Sequence, residues 1–512
     1  MWRESPRSGN ALTDESRRHV GGDDLITPIG PGFKGGAAAK PIAAAAIVAG
    51  AVLSLAINWP GHLSYDSVLQ LAEGRTGSYS GAHPPVMSWL LGLADALWPG
   101  ATLFIAFQTA LIASALLTLL MMGRRVGWVT VAVCGVVAAT PQLLIYPSIV
   151  WKDVLFAGSA AAGFAGLARA AGVWDSRPWR FAWLGASGLL LALAALTRQN
   201  GAVVLPFAAI AVGWIAATGE PPHPRRRGLS YGLAFLVVTG AVATGGALAL
   251  NTRMDPDATP NSPWRALQAY DLVNALAMQP GTALPVLRAR APKLETILRT
   301  EGVAAYSPVR ANALEAVLNR ARRFSAIDQP LAAQWADLMI RHPLLYLRAR
   351  ARTFAWVFLT PDHDQCLLVY TGVEGPADDM TVAGLTRRQT DWDDTLADTA
   401  MILAPTPVYS HAAYAALALG LLAFLLRRRR PPDIAVAGLL GAALTFTGSF
   451  FIISIACDYR YLYALDVAAI AGAVYAAATF RDGAGVARPG GPRSRPSLAG
   501  EESLSTTLPP GC

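Results

Sequence analysis

Four ionisable residues beside apolar segments are the first candidates for chemistry in this sequence. Asp66 lies in the segment SYDS, His83 opens the segment HPP, and Lys152 and Asp153 are adjacent. A carboxylate such as Asp66 could accept the proton of a hydroxyl that attacks an activated carbon atom. Partial burial is expected to raise the pKa of that carboxyl towards neutral pH. Ionisable groups at membrane depth are costly and tend to be functional, so these residues carry the most weight.

Cationic residues add the ability to bind an anion. Lys152 could pair with a phosphate, and the guanidinium of Arg198 could hold a phosphate through two parallel hydrogen bonds. His83 could bind a phosphate or a metal ion. We therefore predict Asp66 as the catalytic residue and the following residues as substrate-binding: His83, Lys152, Asp153, Arg198, Tyr459 and Arg460. No cofactor is certain, but a divalent cation could bind to Asp66 and Asp153.

Each of these residues also has a structural interpretation. Asp66 could cap the helix that its own segment begins. The two prolines after His83 naturally open a helix. Lys152 and Asp153 could form a mutual ion pair at a helix end. Arg198 could be an interfacial arginine whose charged end reaches towards the headgroups. Residue types and spacing alone do not decide between the two interpretations.

The elements that must position these residues are membrane-spanning helices. Of the 512 residues, 53% are hydrophobic and only 15% are charged. The apolar residues cluster in runs of about twenty, the length needed to cross a bilayer as a helix. The sequence therefore predicts an all-α polytopic membrane protein with about ten transmembrane helices, at 41–58, 101–122, 127–146, 154–173, 181–197, 200–218, 229–250, 409–426, 433–455 and 461–479.

The remaining segments divide the chain into regions. We predict disordered cytosolic tails, a transmembrane core at 39–250 whose first outer loop is 60–100, a mostly helical outer-face segment at 251–408, and C-terminal transmembrane helices at 409–480. The tails are residues 1–38 and 481–512. The first apolar run begins too late for an ordinary signal peptide, and we expect it to be a retained anchor.

Two apolar segments read as interfacial helices rather than spans. Residues 85–98 are too short to cross a bilayer and include an aspartate. Residues 331–359 alternate aromatic residues, suited to the membrane interface, with arginines that we expect to face lipid phosphates. Those arginines are Arg341, Arg348, Arg350 and Arg352.

The basic residues predict the orientation. With a cytosolic N-terminus, every short basic cluster between spans falls in a cytosolic loop, as the positive-inside rule demands. The C-terminus is then cytosolic as well, and the candidate site lies on the outer face of what we expect to be a bacterial cytoplasmic (inner) membrane. Cys366 and Cys457 would both lie outside, where an oxidising compartment would permit a disulfide, but the sequence gives no distance between them.

The order of the short motifs resembles that of one enzyme family. SYDS, HPP, WKD, TRQNG and DYRYLY follow one another along the chain. In this order they are similar to motifs of the GT-C superfamily of membrane glycosyltransferases, in which an acidic residue of the first outer loop is the catalytic or metal-adjacent carboxylate. The resemblance implies that role for Asp66. Many relatives carry two adjacent acids, whereas Ser67 follows here, which leaves Asp153 as the second carboxylate.

The resemblance implies an inverting transfer of a sugar from a polyprenyl-phosphate donor to a glycan, lipid or protein acceptor. The sequence contains no glycine-rich nucleotide-binding motif, which agrees with a lipid-linked donor. The expected partners are this donor and membrane lipid, with no nucleic acid. The alternatives are a polymerase or ligase of lipid-linked glycans and a membrane transporter or flippase.

Overall fold

The computed structural model describes residues 38–81, 83–219, 223–255, 262–322 and 328–483. These residues belong to one compact unit, Gly35–Cys512. Almost all of the two predicted tails, 1–38 and 481–512, lie outside the described residues.

Long apolar helices dominate the first half of the chain. Within the described residues up to 255 the helices are α1 (Ala39–Ile57), α2 (Tyr65–Thr76), α3 (Val86–Leu97), α4 (Thr102–Met121), α5 (Trp128–Ala138), α6 (Pro141–Leu144), α7 (Lys152–Gly172), α8 (Arg177–Thr197), α9 (Val204–Gly219) and α10 (Pro224–Asn251). Six are long and apolar enough to cross a bilayer, namely α1, α4, α7, α8, α10 and α9 with its preceding turn.

The third predicted span differs from the expected straight helix. Its residues form two segments, Trp128–Ala138 and Pro141–Ser148, which meet at a bend of 68°. The physical cause is Pro141, which lacks an amide hydrogen and opens a new helix after Thr140. The bend brings the segment Tyr146–Ser148 to the first outer loop, where the carbonyl of Ser148 accepts a hydrogen bond from the amide of His62.

Residues 85–98 form a short helix, as predicted. α3 has 12 residues, fewer than a bilayer requires. It packs against α2, and Gly74 and Gly92 allow the two helix backbones to come together, because a Cβ on either glycine would collide with the backbone of the other helix. Its placement along the membrane surface stays a prediction.

The predicted outer-face segment is helical, as expected. Its described helices are α11 (Ser262–Met278), α12 (Pro285–Arg290), α13 (Pro292–Ile297), α14 (Val303–Ala305), α15 (Asn312–Arg322), α16 (Asp328–Arg341), α17 (Pro343–Leu359), α18 (Ala377–Val382) and α19 (Asp391–Leu403). The continuous helix expected at 331–359 is interrupted, since Pro343 at the first position of α17 cannot continue α16.

Three further long apolar helices close the chain: α20 (His411–Arg428), α21 (Pro431–Ile453) and α22 (Tyr463–Thr479). With these, and with α22 counted together with its flanking turns as Tyr459–Asp482, nine described helices are long enough to span a membrane, and the bent pair α5–α6 raises the count to ten. The prediction of an all-α polytopic membrane protein with about ten spans is confirmed.

Hydrogen bonds join the helix ends on the side of the bundle away from residues 60–100. The Lys40 ammonium donates to the carbonyls of Met121 and Gly123. The Asp482 carboxylate accepts from the backbone amides of Arg124 and Arg125. The ends of α1, α4 and α22 therefore meet away from the candidate site, as alternating spans require. Assignment of this end to the cytosol stays a prediction, and the other end is called the predicted outer face below.

Arg350 ties the outer-face segment to the membrane helices. Its fully buried guanidinium donates to the Asp271 carboxylate at 2.7 Å and to the carbonyls of Phe451 and Ser454. These carbonyls belong to the C-terminal turn of α21, where helical carbonyls lack intrahelical partners. The expectation that Arg350 faces lipid phosphates is therefore wrong. A buried guanidinium needs a counter-charge and acceptors, and the protein supplies both.

A disulfide joins Cys366 to Cys457, the pairing that the sequence left open. The backbone amide of Cys457 also donates to the carbonyl of Val309, and that of Tyr459 to the carbonyl of Leu367. The disulfide therefore anchors the outer-face segment to the turn just before α22. Arg460 lies in this turn.

The burial of Arg350 gives a stability prediction. Asp271→Asn removes the counter-charge and leaves a buried cation, so we expect the free energy of unfolding to fall by about 3–5 kcal/mol. The measurement is thermal or denaturant unfolding of the purified protein in detergent. Glu301→Gln is the matched control, because Glu301 pairs with Arg320 where both side chains are more than half exposed, and should cost less than about 1 kcal/mol. Equal losses in the two variants would contradict this account.

Candidate functional site

Asp66 contacts Arg460 across 394 residues of sequence. Asp66 lies in the first turn of α2, but the capping role belongs to Ser64, which forms a reciprocal capping box with Ser67. The structural interpretation of Asp66 as the cap is therefore wrong. Its carboxylate oxygen Oδ2 instead accepts a hydrogen bond from Arg460 Nη2 at 2.7 Å. The first outer loop and the turn before α22 thus meet at one point.

His83 and Lys152 extend this cluster. Lys152 Nζ donates to His83 Nδ1 at 2.8 Å, so Nδ1 is an acceptor and the ring proton lies on Nε2. That Nε2 faces Asp66 Oδ1 at 3.6 Å. The four residues form a continuous chain, which we call the Asp66 cluster: Lys152, His83, Asp66 and Arg460.

The backbone around Lys152 holds the first outer loop in place. The amide of His62 donates to the carbonyl of Ser148, and the amide of Val150 donates to the carbonyl of His62. The Ser67 hydroxyl also donates to the carbonyl of Val150. The loop therefore pairs with the segment that leads directly into α7, which fixes Asp66 relative to Lys152.

Aromatic rings and a second carboxylate orient Arg460. Its guanidinium lies 4.9 Å from the ring centroid of Trp151 and 5.6 Å from that of Tyr461. Nε also donates to Asp458 Oδ2 at 3.2 Å. Stacking on aromatic faces suits the planar guanidinium and restricts its orientation. The side chain is only 11% exposed, whereas that of Asp66 is 31% exposed.

Asp153 is paired with Arg198, not with Lys152. Its buried carboxylate contacts Arg198 Nη1, which excludes the mutual Lys152–Asp153 ion pair considered from the sequence. Three rings surround the Arg198 guanidinium within 6 Å, those of Phe446, Phe450 and Tyr461. Arg198 is 8% exposed, so it is not an arginine extended towards the lipid headgroups. Through the Tyr461 ring, this buried pair adjoins Arg460.

Tyr459 is separate from the Asp66 cluster. Its hydroxyl donates to Asp466 Oδ2 at 2.8 Å and its ring stacks on His411 with centroids 4.0 Å apart. The side chain is fully buried, so it has no surface to offer a substrate. We leave it out of the binding set proposed below and include Tyr461, whose ring lies within 6 Å of both the Arg198 and the Arg460 guanidinium. The sequence offered one signal for this difference. Tyr459 and Tyr461 are the residues on either side of Arg460 in the segment DYRY, so either ring could have been the one that contacts its guanidinium.

The donor set does not fit a metal ion. Within the part of the chain that the structure describes, no three histidine, cysteine or acidic side chains gather closely enough to hold one. Asp66 is engaged by Arg460 and Asp153 by Arg198, so the two carboxylates considered as metal ligands each have a cationic partner. We derive no step through a metal.

The pKa of the Asp66 carboxyl is lowered, not raised as expected from the sequence. Burial acts to raise the pKa of its carboxyl, but the Arg460 guanidinium, His83 and Lys152 outweigh burial and hold that pKa well below its usual range. Burial lowers the pKa of His83, and the Lys152 charge lowers it further, which agrees with a neutral imidazole. With Arg460 in place Asp66 is a firmly ionised carboxylate and a weak base. The expected rise of its pKa is wrong for this state.

The charges at the site balance. The cations are Lys152, Arg198 and Arg460, and the carboxylates are Asp66, Asp153 and Asp458. A phosphate that binds here therefore competes with a carboxylate already in place. Because Asp66 is the most exposed of the paired carboxylates, its contact with Arg460 is the one that a ligand can most readily replace.

Comparisons with known proteins find structural matches only, at low sequence identity. No known protein-family model and no curated protein matches the sequence. Two solved structures of Archaeoglobus fulgidus oligosaccharyltransferase are similar to it: one tethered to an acceptor peptide with the NVT sequon, the other with an inhibitory peptide and a dolichol-phosphate. Identities are 12% and 14%, TM-scores 0.40 and 0.39, and each match covers 85% of this chain. The chain spans about half the length of those proteins, 49% and 50%.

His62 makes the support of the first outer loop sensitive to pH. Its Nδ1 accepts from the amide of Gly372, and its Nε2 donates to the side-chain oxygen of Asn58, so the ring is neutral. Burial lowers the pKa of His62 to about 4, against an opposing contribution from Asp393. Between pH 6.5 and 4 the unfolded chain binds a proton that the folded chain excludes.

Stability should therefore fall as the pH drops from about 6.5 to 4, with a His62 contribution of about 3 kcal/mol. His62→Gln should lower the melting temperature at neutral pH and flatten its dependence across this window. His363→Gln, a histidine of the same predicted outer face, is the control. The measurement is thermal unfolding in detergent at several pH values, and an unchanged slope in the His62 variant would refute the assignment.

Proposed function

We propose that this protein is a GT-C-type membrane glycosyltransferase. It transfers a sugar from a polyprenyl-phosphate donor, with inversion, to an acceptor on the outer face of a bacterial cytoplasmic membrane. The observation that carries the proposal is the Asp66 cluster, in which a partly buried carboxylate meets Arg460 and, through His83, Lys152. A carboxylate beside two phosphate-binding cations suits attack by a hydroxyl on a carbon that bears a phosphate leaving group.

The donor phosphate binds to Arg460 and Lys152. Arg460 offers a planar set of N–H donors oriented by Trp151 and Tyr461, and Lys152 adds a compact charge. A phosphate oxygen takes the place of Asp66 Oδ2 at Arg460. Once Asp66 loses this partner, the main influence that lowered the pKa of its carboxyl is weakened, and Asp66 becomes a better base.

Sugar transfer then follows in one concerted step. The acceptor oxygen forms a bond to the anomeric carbon on the face opposite the phosphate, while the bond from that carbon to the phosphate oxygen breaks. The acceptor proton passes to Asp66. The departing polyprenyl phosphate keeps the electron pair of the broken bond, and Arg460 and Lys152 stabilise its growing charge.

The ion pair of Arg198 and Asp153 supports the proposed phosphate site through the ring of Tyr461. The Arg198 guanidinium lies within 6 Å of the rings of Phe446, Phe450 and Tyr461, and the Tyr461 ring also contacts Arg460. Arg198, whose charge is balanced by Asp153, therefore fixes the ring that orients Arg460. This revises the phosphate-clamp hypothesis for Arg198 to a positioning role.

Asp66→Asn should separate catalysis from phosphate binding. Loss of the base should lower transfer by about 10²–10⁴-fold, whereas polyprenyl phosphate should bind as tightly as before or more tightly, because the competing carboxylate is neutral. Transfer is measured by mass spectrometry of surface glycans and glycolipids in a deletion strain carrying each variant, and binding by thermal stabilisation of the purified protein. Asp95→Asn, which alters the carboxylate paired with Arg75, is the control. An active Asp66→Asn enzyme would exclude Asp66 as the base.

Arg460→Gln and Lys152→Gln should weaken polyprenyl-phosphate binding by at least about tenfold each, since a charge-assisted contact to phosphate contributes roughly 1.5–3 kcal/mol. Arg75→Gln is the matched control, because Arg75 is an arginine of the same predicted outer face that pairs with Asp95. Thermal stabilisation by added polyprenyl phosphate is the readout. Unchanged binding in the Arg460 and Lys152 variants would argue against the proposed donor site. Substrate uptake into proteoliposomes, with unaltered glycans in a deletion strain, would favour transport instead.

A further inference from the structure

α17 exposes an apolar stripe although it is not one of the membrane-spanning helices. Leu344 is 68% exposed and Leu347 is 47% exposed, and Ala351 continues the stripe one turn further. The residues on the other face of the helix, including Ala349 and Thr353, are buried. A contiguous exposed apolar stripe on a folded protein marks a surface that something else covers.

Arg350 fixes the level of this helix relative to the membrane. Its guanidinium donates at 2.8 Å to the carbonyl of Phe451 and at 2.9 Å to that of Ser454. Both carbonyls lie at the end of α21, which is long and apolar enough to span the bilayer. α17 is therefore held where a spanning helix leaves the apolar layer.

Two arginines border the apolar stripe. Arg348 and Arg352 are exposed and lie four residues apart, so they occupy neighbouring turns of the same helix face. Within the described residues, neither has a carboxylate at ion-pair distance, in contrast to Arg341, whose Nε lies 2.7 Å from Asp337 Oδ1. Leucines beside arginines of this kind are typical of a helix that lies in the interface of an anionic bilayer.

We propose that α17 is a membrane-surface helix that binds anionic phospholipid. Leu344 and Leu347 enter the acyl-chain boundary of the nearest leaflet, and Arg348 and Arg352 bind the phosphates of anionic headgroups. Charge complementarity and the attachment to the end of α21 identify the bilayer, rather than another protein, as the partner. The inference stands on the placement of this helix and does not depend on the proposed transfer reaction.

This surface adjoins the candidate site. Trp356, one turn beyond Arg352, packs against the Cys366–Cys457 disulfide. Cys457 lies three residues before Arg460. Lipid bound along α17 would thus lie beside the turn that carries Arg460, so a lipid-borne substrate could approach the site along the bilayer surface.

The first experiment titrates the purified protein in detergent with phosphatidylglycerol or phosphatidylcholine and follows the melting temperature. Phosphatidylglycerol should stabilise the wild type more than phosphatidylcholine does. The double variant Arg348→Gln/Arg352→Gln should bind phosphatidylglycerol at least about tenfold more weakly, since each arginine near an anionic surface contributes to lipid binding. The matched control is Arg290→Gln/Lys293→Gln, which removes the same charge from exposed residues of α12 and α13. Equal phosphatidylglycerol binding by both double variants would overturn the proposal.

The second experiment locates the helix directly. A nitroxide attached to Leu347→Cys, in a Cys512→Ser background and in phosphatidylglycerol-containing liposomes, should be relaxed more by membrane-dissolved oxygen than by a water-soluble nickel chelate. A label on Arg290→Cys should show the opposite order. Greater accessibility of position 347 to the nickel chelate, or protection from both reagents by a bound protein, would contradict membrane contact.

Discussion

The candidate site depends on the pairing of charges at the membrane boundary, and above all on the hydrogen bond between Arg460 and Asp66. A guanidinium that is only 11% exposed needs counter-charges, because removing it from water costs several kcal/mol. Asp66 and Asp458 supply those charges, and Trp151 and Tyr461 supply aromatic faces. The requirement to satisfy this one cation draws the first outer loop, the start of α7 and the turn before α22 into contact. The same contact keeps Asp66 ionised and makes Arg460 the group for which a ligand must compete.

A similar constraint operates at Arg350. There the guanidinium is fully buried, its carboxylate partner Asp271 is also buried, and the carbonyls at the end of α21 complete its hydrogen bonds. The two arginines differ in a way that matches their proposed roles. All the partners of Arg350 are internal and permanent, whereas one partner of Arg460 is a carboxylate with 31% of its surface exposed. The first arrangement holds elements together, and the second can exchange one anion for another.

The sequence was sufficient for the membrane helices, because runs of about twenty apolar residues and the distribution of arginines reflect the bilayer directly. It also selected Asp66, His83, Lys152 and Arg460, which lie in contact with one another, since ionisable residues at the ends of spans are few. It could not assign their partners. Asp153 was as close in sequence to Lys152 as a residue can be, yet it pairs with Arg198 from another helix. Arg350 was predicted to face lipid together with Arg348 and Arg352. Those two are exposed, whereas helical geometry turns Arg350 inward. The bend at Pro141 and the separate burial of Tyr459 also depend on tertiary packing that no local pattern records.

The most direct test is a structure of the protein determined in a lipid nanodisc with polyprenyl phosphate bound. The account predicts phosphate oxygens at hydrogen-bond distance from Arg460 and Lys152, with the Asp66 carboxylate displaced from Arg460 and facing the acceptor side. A phosphate bound elsewhere, with the Asp66–Arg460 hydrogen bond intact, would contradict it.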